Sequence, residues 1–320
     1  MTFSGSTSDV EHKIKLATER FGLFSAELFQ AMICGGEPFN PTSVAILWDR
    51  LIASGLATRF SVHPHRRMQV DHILHTVPLL AHLKDGTFQN LFASPSRLPE
   101  RYSSAMVAID VKKDGDLGRG TGFVVKEEGR HYLITCRHNV DKNEGIEIKS
   151  ITTASGNSLE VERLELSGEH DIAIAPINKQ ISEPAFALTE DVEIFDQVYT
   201  LGYPLIPRAG SVLVGHRGEI NAKAHLYRER CDVLLISNLV SPGSSGGPVL
   251  ASSGRCIGMT INWLEGETLA FENEEVKLGK SEKLQKEMPP GKRQGPKVER
   301  MKFSAALPAA TIREFLRSAS

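Results

Sequence analysis

The sequence predicts two folded units of different class, a small mostly helical one followed by an all-β barrel or sandwich. Three observations carry that expectation. Residues 1–55 place apolar side chains at helical spacing between helix stops; from about residue 104 short β-rich runs alternate with turn residues; and the stretch from Lys84 to Tyr102, rich in Gly, Ser and Pro, lies between them. A chain of 320 residues is long enough for two domains of ordinary size.

The helical unit reads as three helices and a hairpin. Val10, Ile14, Ala17 and Phe21 share one helical face that stops at Gly22, and a second helix opens at the capping residue Ser25 and stops at Gly35 and Gly36. The third has Asn40 as N-cap, Pro41 in the first turn, apolar Val44, Leu47, Trp48, Leu51 and Ile52, and a stop at Gly55. Leu56, Thr58, Phe60 and Val62 then alternate as a strand, HPHRR makes a turn, and residues 68–74 return. Order and spacing over residues 1–85 resemble a winged helix. Such domains bind DNA or protein. The third helix offers only Arg50 as a basic side chain, balanced by Asp49, and the one basic cluster is His63, His65, Arg66 and Arg67 at the wing tip. That surface is thin for phosphate contacts, so an adaptor that binds a protein partner is preferred over nucleic acid. His63, His65, His72 and His75 lack nearby cysteines or a carboxylate set, and read as surface histidines rather than metal ligands. Residues 86–101 read as the linker.

The formal charge of −2 implies no field that would gather nucleic acid or anionic membrane. No run of about 18 apolar residues appears, and residues 1–15 lack a basic start with an apolar run behind it, so a cytoplasmic protein without membrane contact is expected. Cys34, Cys136, Cys231 and Cys256 are scattered without metal-ligand spacing and read as reduced thiols. No metal or cofactor is expected.

The β unit carries strand-like runs at 104–111, 121–136, 171–177, 197–204, 211–220, 232–237 and 247–261. Its chemistry centres on SPGSSGGPV, residues 241–249, where glycines flank Ser245 on both sides. A serine that attacks a carbonyl needs a turn whose amides face the developing oxyanion without side chains in the way. A base must also take its proton, and a carboxylate must hold that base in its tautomer. His138 in ITCRHNV and Asp171 in EHDIAIAPI both stand beside β-rich runs, and the chain order is His, Asp, Ser.

With these residues, GTGFVV (120–125), LGYP (201–204), GRCIGMTIN (254–262) and FSAALPAATIREFL (303–316) give residues 102–320 a resemblance to the trypsin-like serine proteases, nearest the Deg/HtrA branch. The resemblance implies a double β-barrel, each barrel of six strands, with the site between them. It implies catalysis by His138, Asp171 and Ser245, an oxyanion hole made by the amides of Gly243 and Ser245, and protein or peptide substrates. By the same likeness Leu239 lies at the base of the primary specificity pocket, with Thr260, Ile261, Asn262 and Trp263 on the neighbouring cleft strand, so cleavage after a small or medium apolar residue is expected. Ser244 stands where trypsin-type zymogens carry their switch aspartate, so activation by a new N-terminus is not expected. The PDZ domain and export signal usual in that branch are not expected here. Residues 264–300, polar and interrupted by Pro and Gly, are expected to form a mobile charged insertion beside the pocket. An intracellular endopeptidase regulated through its N-terminal domain follows. The alternatives are a DNA-binding regulator that cleaves itself or a partner, and a binding scaffold with a dead site.

Overall fold

A computed structural model describes residues 48–49, 51–52, 56–60, 71–75, 81–82, 85, 87, 90, 94–161, 163–177, 184–206, 208–227, 230–261, 264–267 and 300–319. In the N-terminal part it contains the expected hairpin. Strands β1 (Ala57–Phe60) and β2 (Asp71–Leu74) pair antiparallel, from Ala57 opposite Leu74 to Phe60 opposite Asp71. Trp48 and Leu51 are helical and buried, in keeping with the third helix, and Leu51 accepts the backbone N–H of Leu56 at 2.8 Å where the strand begins. His75 is exposed and pairs with the Thr58 hydroxyl at 2.8 Å. The first two helices, most of the third and the wing tip with His63, His65, Arg66 and Arg67 lie outside the described residues.

The end of the expected linker is folded into the β unit. Ser94 caps a 3-10 turn, Pro95–Arg97, and helix α1 (Leu98–Arg101) follows at once. Leu98 is buried, and Tyr102 stacks on Phe186 with ring centroids 4.2 Å apart. Ser and Pro in this stretch therefore serve as helix-start punctuation as well as loop residues. Further upstream, Asp85 pairs with Arg255 at 2.8 Å and Asn90 donates to the Tyr102 hydroxyl at 2.8 Å.

Six strands form the first sheet: β3 (Met106–Lys113), β4 (Asp116–Glu127), β5 (Arg130–Thr135), β6 (Ile146–Thr153), β7 (Glu165–Leu166) and β8 (Ala173–Ile177), in the order β6-β3-β4-β5-β8-β7. Left-handed residue pairs, Asp114-Gly115 and Glu128-Gly129, make the tight turns on either side of β4. A second sheet follows, with β9 (Gln197–Gly202), β10 (Val214–Leu226), β11 (Cys231–Ile236), β12 (Pro248–Ala251), β13 (Cys256–Thr260), β14 (Leu264–Glu267) and β15 (Arg300–Pro308). Its order is β11-β10-β9-β12-β13-β15-β14, and β11 also pairs with β15, so six of these strands close into a barrel. The closing helix α2 (Ala309–Ala319) buries Ile312 and Leu316.

The seventh strand revises the expected insertion. Leu264 lies opposite Phe303 and Glu267 opposite Arg300, so both ends of the segment 264–300 are paired strands; residues 268–299 lie outside the described residues. Hydrogen bonding to β15 extends that strand's hairpin beyond the barrel. The interior of the barrel is filled by Val198, Ile220, Leu234, Ile236, Val249, Ile257 and Ala306. A second cluster runs from the first sheet through Leu201, Tyr203 and Met259 to α2, joining the two sheets by continuous apolar packing.

Candidate active site

Strand pairing brings His138 and Asp171 together. Thr135, the last residue of β5, lies opposite Ala173, the first of β8. The chain leaving β5 enters a 3-10 turn, Arg137–Asn139, while the chain entering β8 carries Asp171 two residues earlier, so both residues sit at the same end of one strand pair. The Nδ1 of His138 is 2.6 Å from Oδ2 of Asp171, and the backbone N–H of His138 donates to Oδ1 at 3.0 Å. Both carboxylate oxygens are thus used on one residue, which fixes the imidazole plane and leaves Nε2 as the ring atom that can accept a proton. Burial alone would raise the Asp171 carboxyl, but the hydrogen bond and charge of His138, its backbone N–H and the Cys136 thiol together hold it below the usual aspartate range.

Cys136 is buried beside this pair, and burial together with the negative charge of Asp171 pushes its thiol well above the ordinary range. It is a neutral donor, with Sγ 3.5 Å from the carbonyl of Thr260. One atom each of Cys136, His138 and Asp171 lie within 4.8 Å of one another, a spacing that suits metal ligands. A cation there would have to strip the thiol proton and break the His138–Asp171 bond, so these residues do not read as a metal centre.

Ser245 stands on the turn between β11 and β12 and is 4% exposed. Gly243 and Gly246 have φ of +95° and +88°, and a Cβ on Gly246 would lie 2.2 Å from the carbonyl oxygen of Thr121, so the turn needs glycine there for conformation and for space. First-sheet residues reach across to it. The carbonyl of Ser245 accepts from the backbone N–H of Thr121 at 3.1 Å and from Nδ2 of Asn139 at 2.9 Å. The Thr121 hydroxyl donates to the carbonyl of Gly243 at 2.7 Å and accepts from the N–H of Tyr203 at 2.8 Å. Because Asn139 directly follows His138, one amide side chain ties the histidine's turn to the serine's.

The residues expected around the specificity pocket fall in different places. Leu239 is 61% exposed, a surface position rather than the floor of a closed pocket. Thr260 is 1% exposed, because β13 carries its last residue beneath the serine turn, and its hydroxyl is bonded to that turn instead of facing a substrate cleft. Ile261 is half-buried against the core, with its N–H on the carbonyl of Ala305 at 3.0 Å. Asn262 and Trp263 lie outside the described residues. Sequence reasoning missed Thr121, Asn139 and Cys136. Thr121 stands in the quoted GTGFVV run, and Cys136 and Asn139 flank the Arg137-His138 pair, but no spacing rule marks a residue whose partner is a backbone carbonyl more than a hundred positions away.

Residues 120–259 match the family model of the trypsin-like peptidase domain. That span of the chain is similar to a trypsin-like peptidase domain. Its relatives are serine endopeptidases. A protein of Chlamydia muridarum named "Probable periplasmic serine endoprotease DegP-like" is 30% identical over 190 residues, covering 58% of this chain and 34% of its own length. The Chlamydia trachomatis protein of the same name is 26% identical over the same shares. The "Serine protease Do-like HtrA" of Bacillus subtilis is 24% identical over 196 residues, 55% of this chain and 42% of its own length. The chain thus spans about a third to two fifths of these relatives' lengths. A solved HtrA-type protease with a tripeptide aligns at 19% identity over 71% of this chain and 63% of that one, with a TM-score of 0.48. The matched span of the peptidase domain includes His138, Asp171, Ser245 and the bridging residues Thr121 and Asn139.

Proposed function

We propose that this chain hydrolyses peptide bonds by a serine mechanism, with Ser245 as nucleophile, His138 as general base and then acid, and Asp171 as the carboxylate that holds the imidazole. The observation that carries the reading is the bidentate His138–Asp171 contact, at 2.6 and 3.0 Å, in a turn tied by Asn139 to the carbonyl of Ser245. Ser245 Oγ adds to the scissile carbonyl carbon as its proton passes to Nε2. The carbonyl oxygen becomes an oxyanion facing the amides of Gly243 and Ser245. Collapse breaks the C–N bond, the imidazolium gives its proton to the leaving amine, and water repeats the sequence on the acyl-enzyme. Asp171 stays ionised and stabilises the imidazolium without taking its proton.

For specificity, the exposed apolar residues near the turn, Leu239 with Leu205 and Ile206, favour small or medium apolar side chains before the cleaved bond. Leu205 donates its N–H to the carbonyl of Pro242 at 3.0 Å, which puts it beside the oxyanion amides. An intracellular setting and recruitment of substrates through the N-terminal domain complete the proposal. Among the described residues no helix is long and apolar enough to cross a membrane.

A fluorophosphonate probe tests the nucleophile. Labelling of the wild type that disappears in Ser245→Ala and in His138→Ala supports the mechanism, and an unlabelled wild type at neutral pH overturns it. A peptide library then tests the pocket, where a preference for Arg, Lys or Glu before the scissile bond would remove the apolar assignment.

A further inference from the structure

The two amides assigned above to the oxyanion hole belong to peptide units whose carbonyls are both hydrogen-bonded. A trans peptide is planar, with its C=O and N–H pointing in opposite directions, so a group that grips the carbonyl also aims the amide. The N–H of Gly243 shares its peptide with the carbonyl of Pro242, which accepts from Leu205 at 3.0 Å. The N–H of Ser245 shares its peptide with the carbonyl of Ser244. That carbonyl accepts from the hydroxyl of Thr260 at 2.8 Å and from the N–H of Gly247 at 3.1 Å.

Thr260 is well placed for this task. Its backbone is locked to the same turn, with its N–H on the carbonyl of Gly247 at 2.8 Å and its carbonyl receiving the N–H of Gly246 at 2.8 Å. Its Oγ1 also accepts from the N–H of Gly247 at 3.1 Å, which directs the hydroxyl proton towards an acceptor. The two acceptors in reach are the carbonyls of Ser244 at 2.8 Å and Gly247 at 3.1 Å; each also holds one backbone N–H, and the shorter distance favours Ser244. At 1% exposure the hydroxyl is shielded from bulk solvent.

We infer that Thr260 is a positioning residue for the oxyanion hole, whose hydroxyl holds the carbonyl of Ser244 and thereby aims the N–H of Ser245 at the reacting carbonyl oxygen. The inference rests on the serine mechanism proposed above. It assigns Thr260 to transition-state stabilisation rather than to substrate recognition, because an amide that rotates away is missed most when the oxygen carries full charge.

The experiment compares Thr260→Val, which keeps the shape and removes the hydroxyl, with Thr260→Ser, which keeps the hydroxyl and removes the methyl. For Thr260→Val, kcat on a cleaved peptide is expected to fall about 100-fold, the scale of losing one oxyanion donor, with KM changed less than about threefold. Affinity for a peptide trifluoromethyl ketone, whose adduct places an oxyanion in the hole, should fall in parallel, while affinity for the non-covalent product peptide stays. Thr260→Ser should recover kcat to within about fivefold of wild type. Unchanged kcat in Thr260→Val, an equal fall in affinity for both ligands, or failure of Thr260→Ser to recover activity would each overturn the assignment. If Thr260→Val does not fold, Thr260→Cys serves, since its weaker donor should still lower kcat about tenfold, and wild-type kcat in that variant overturns it. Wild-type labelling by fluorophosphonate is measured alongside. Its absence removes the serine mechanism itself, whereas a reactive wild type with an indifferent Thr260→Val removes only the role given to Thr260.

Discussion

The histidine half of the site and the serine half are held in opposite ways. His138 and Asp171 have side chains about a third exposed, at 30% and 33%, and they are fixed to each other by side-chain contact. Ser245 is sealed at 4%, and its turn is fixed through backbone carbonyls that accept from Thr121, Asn139 and Thr260. The difference suits the work proposed for each half. An imidazole must exchange protons with a nucleophile and a leaving amine, so it needs a defined plane and an open edge. Amides that meet a developing charge need a fixed direction, and buried hydrogen bonds supply that without reorganisation during the reaction.

Substitutions separate the two halves most sharply where the side chain is the chemistry. Ser245→Ala is expected to lower kcat by on the order of a million-fold and Asp171→Asn by roughly ten thousand-fold, in peptide turnover at neutral pH. Neither should shift the thermal midpoint by more than a few degrees; a large shift would mean that the side chains also hold the fold. On the backbone side, Gly246→Ala should cost both stability and activity. A positive φ strains any L side chain by about 1–3 kcal/mol, and the added Cβ would meet the Thr121 carbonyl oxygen at 2.2 Å, so calorimetry should show a drop of at least roughly 2–4 °C for each kcal/mol. A smaller effect is expected for Asn139→Ala. It removes the Asn139 donor from the Ser245 carbonyl, which keeps the backbone N–H of Thr121, for a loss of about 1–3 kcal/mol in denaturant unfolding and a fall in kcat larger than any change in KM. Unchanged kcat would show that the serine turn does not depend on the first sheet.

The smallest effect is on acid stability. The Asp171 carboxyl is held below its unfolded value, so its contacts stabilise the native state above the ordinary aspartate value of about 4 and are lost as pH falls through the lower folded value. Thermal midpoints of wild type should therefore fall faster below about pH 4 than those of Asp171→Asn, which has no such proton to gain. Parallel curves would show that the contact contributes nothing to folding.

The proposed reactive residues stand out in the sequence, and most strands were legible, because their signals are local. Glycines around Ser245 meet a steric demand within the turn itself, and His138 and Asp171 stand beside β-rich runs. Strand β6 carries Ile146, Ile148 and Ile151, which do not keep one period. The register slips between Asp110 and Val111 of its partner β3, so Ser150 pairs with the first and Ile148 with the second, and the bulge at Lys149 breaks the alternation that a sequence reading counts. Thr260 was misplaced for a related reason. Its position along the strand was readable, but the face it presents is set by how β13 ends under the turn, a matter of pairing across the barrel. The N-terminal hairpin was readable from simple alternation of Leu56, Thr58 and Phe60.

The carbonyl of Ser245 accepts from Thr121 in the first sheet and from Asn139 in the turn that follows β5, while the chain on either side of Ser245 belongs to the second sheet. The backbone at Ser245 is in effect a rivet through two plates. Loss of the first sheet would draw that rivet before the second barrel need change at all.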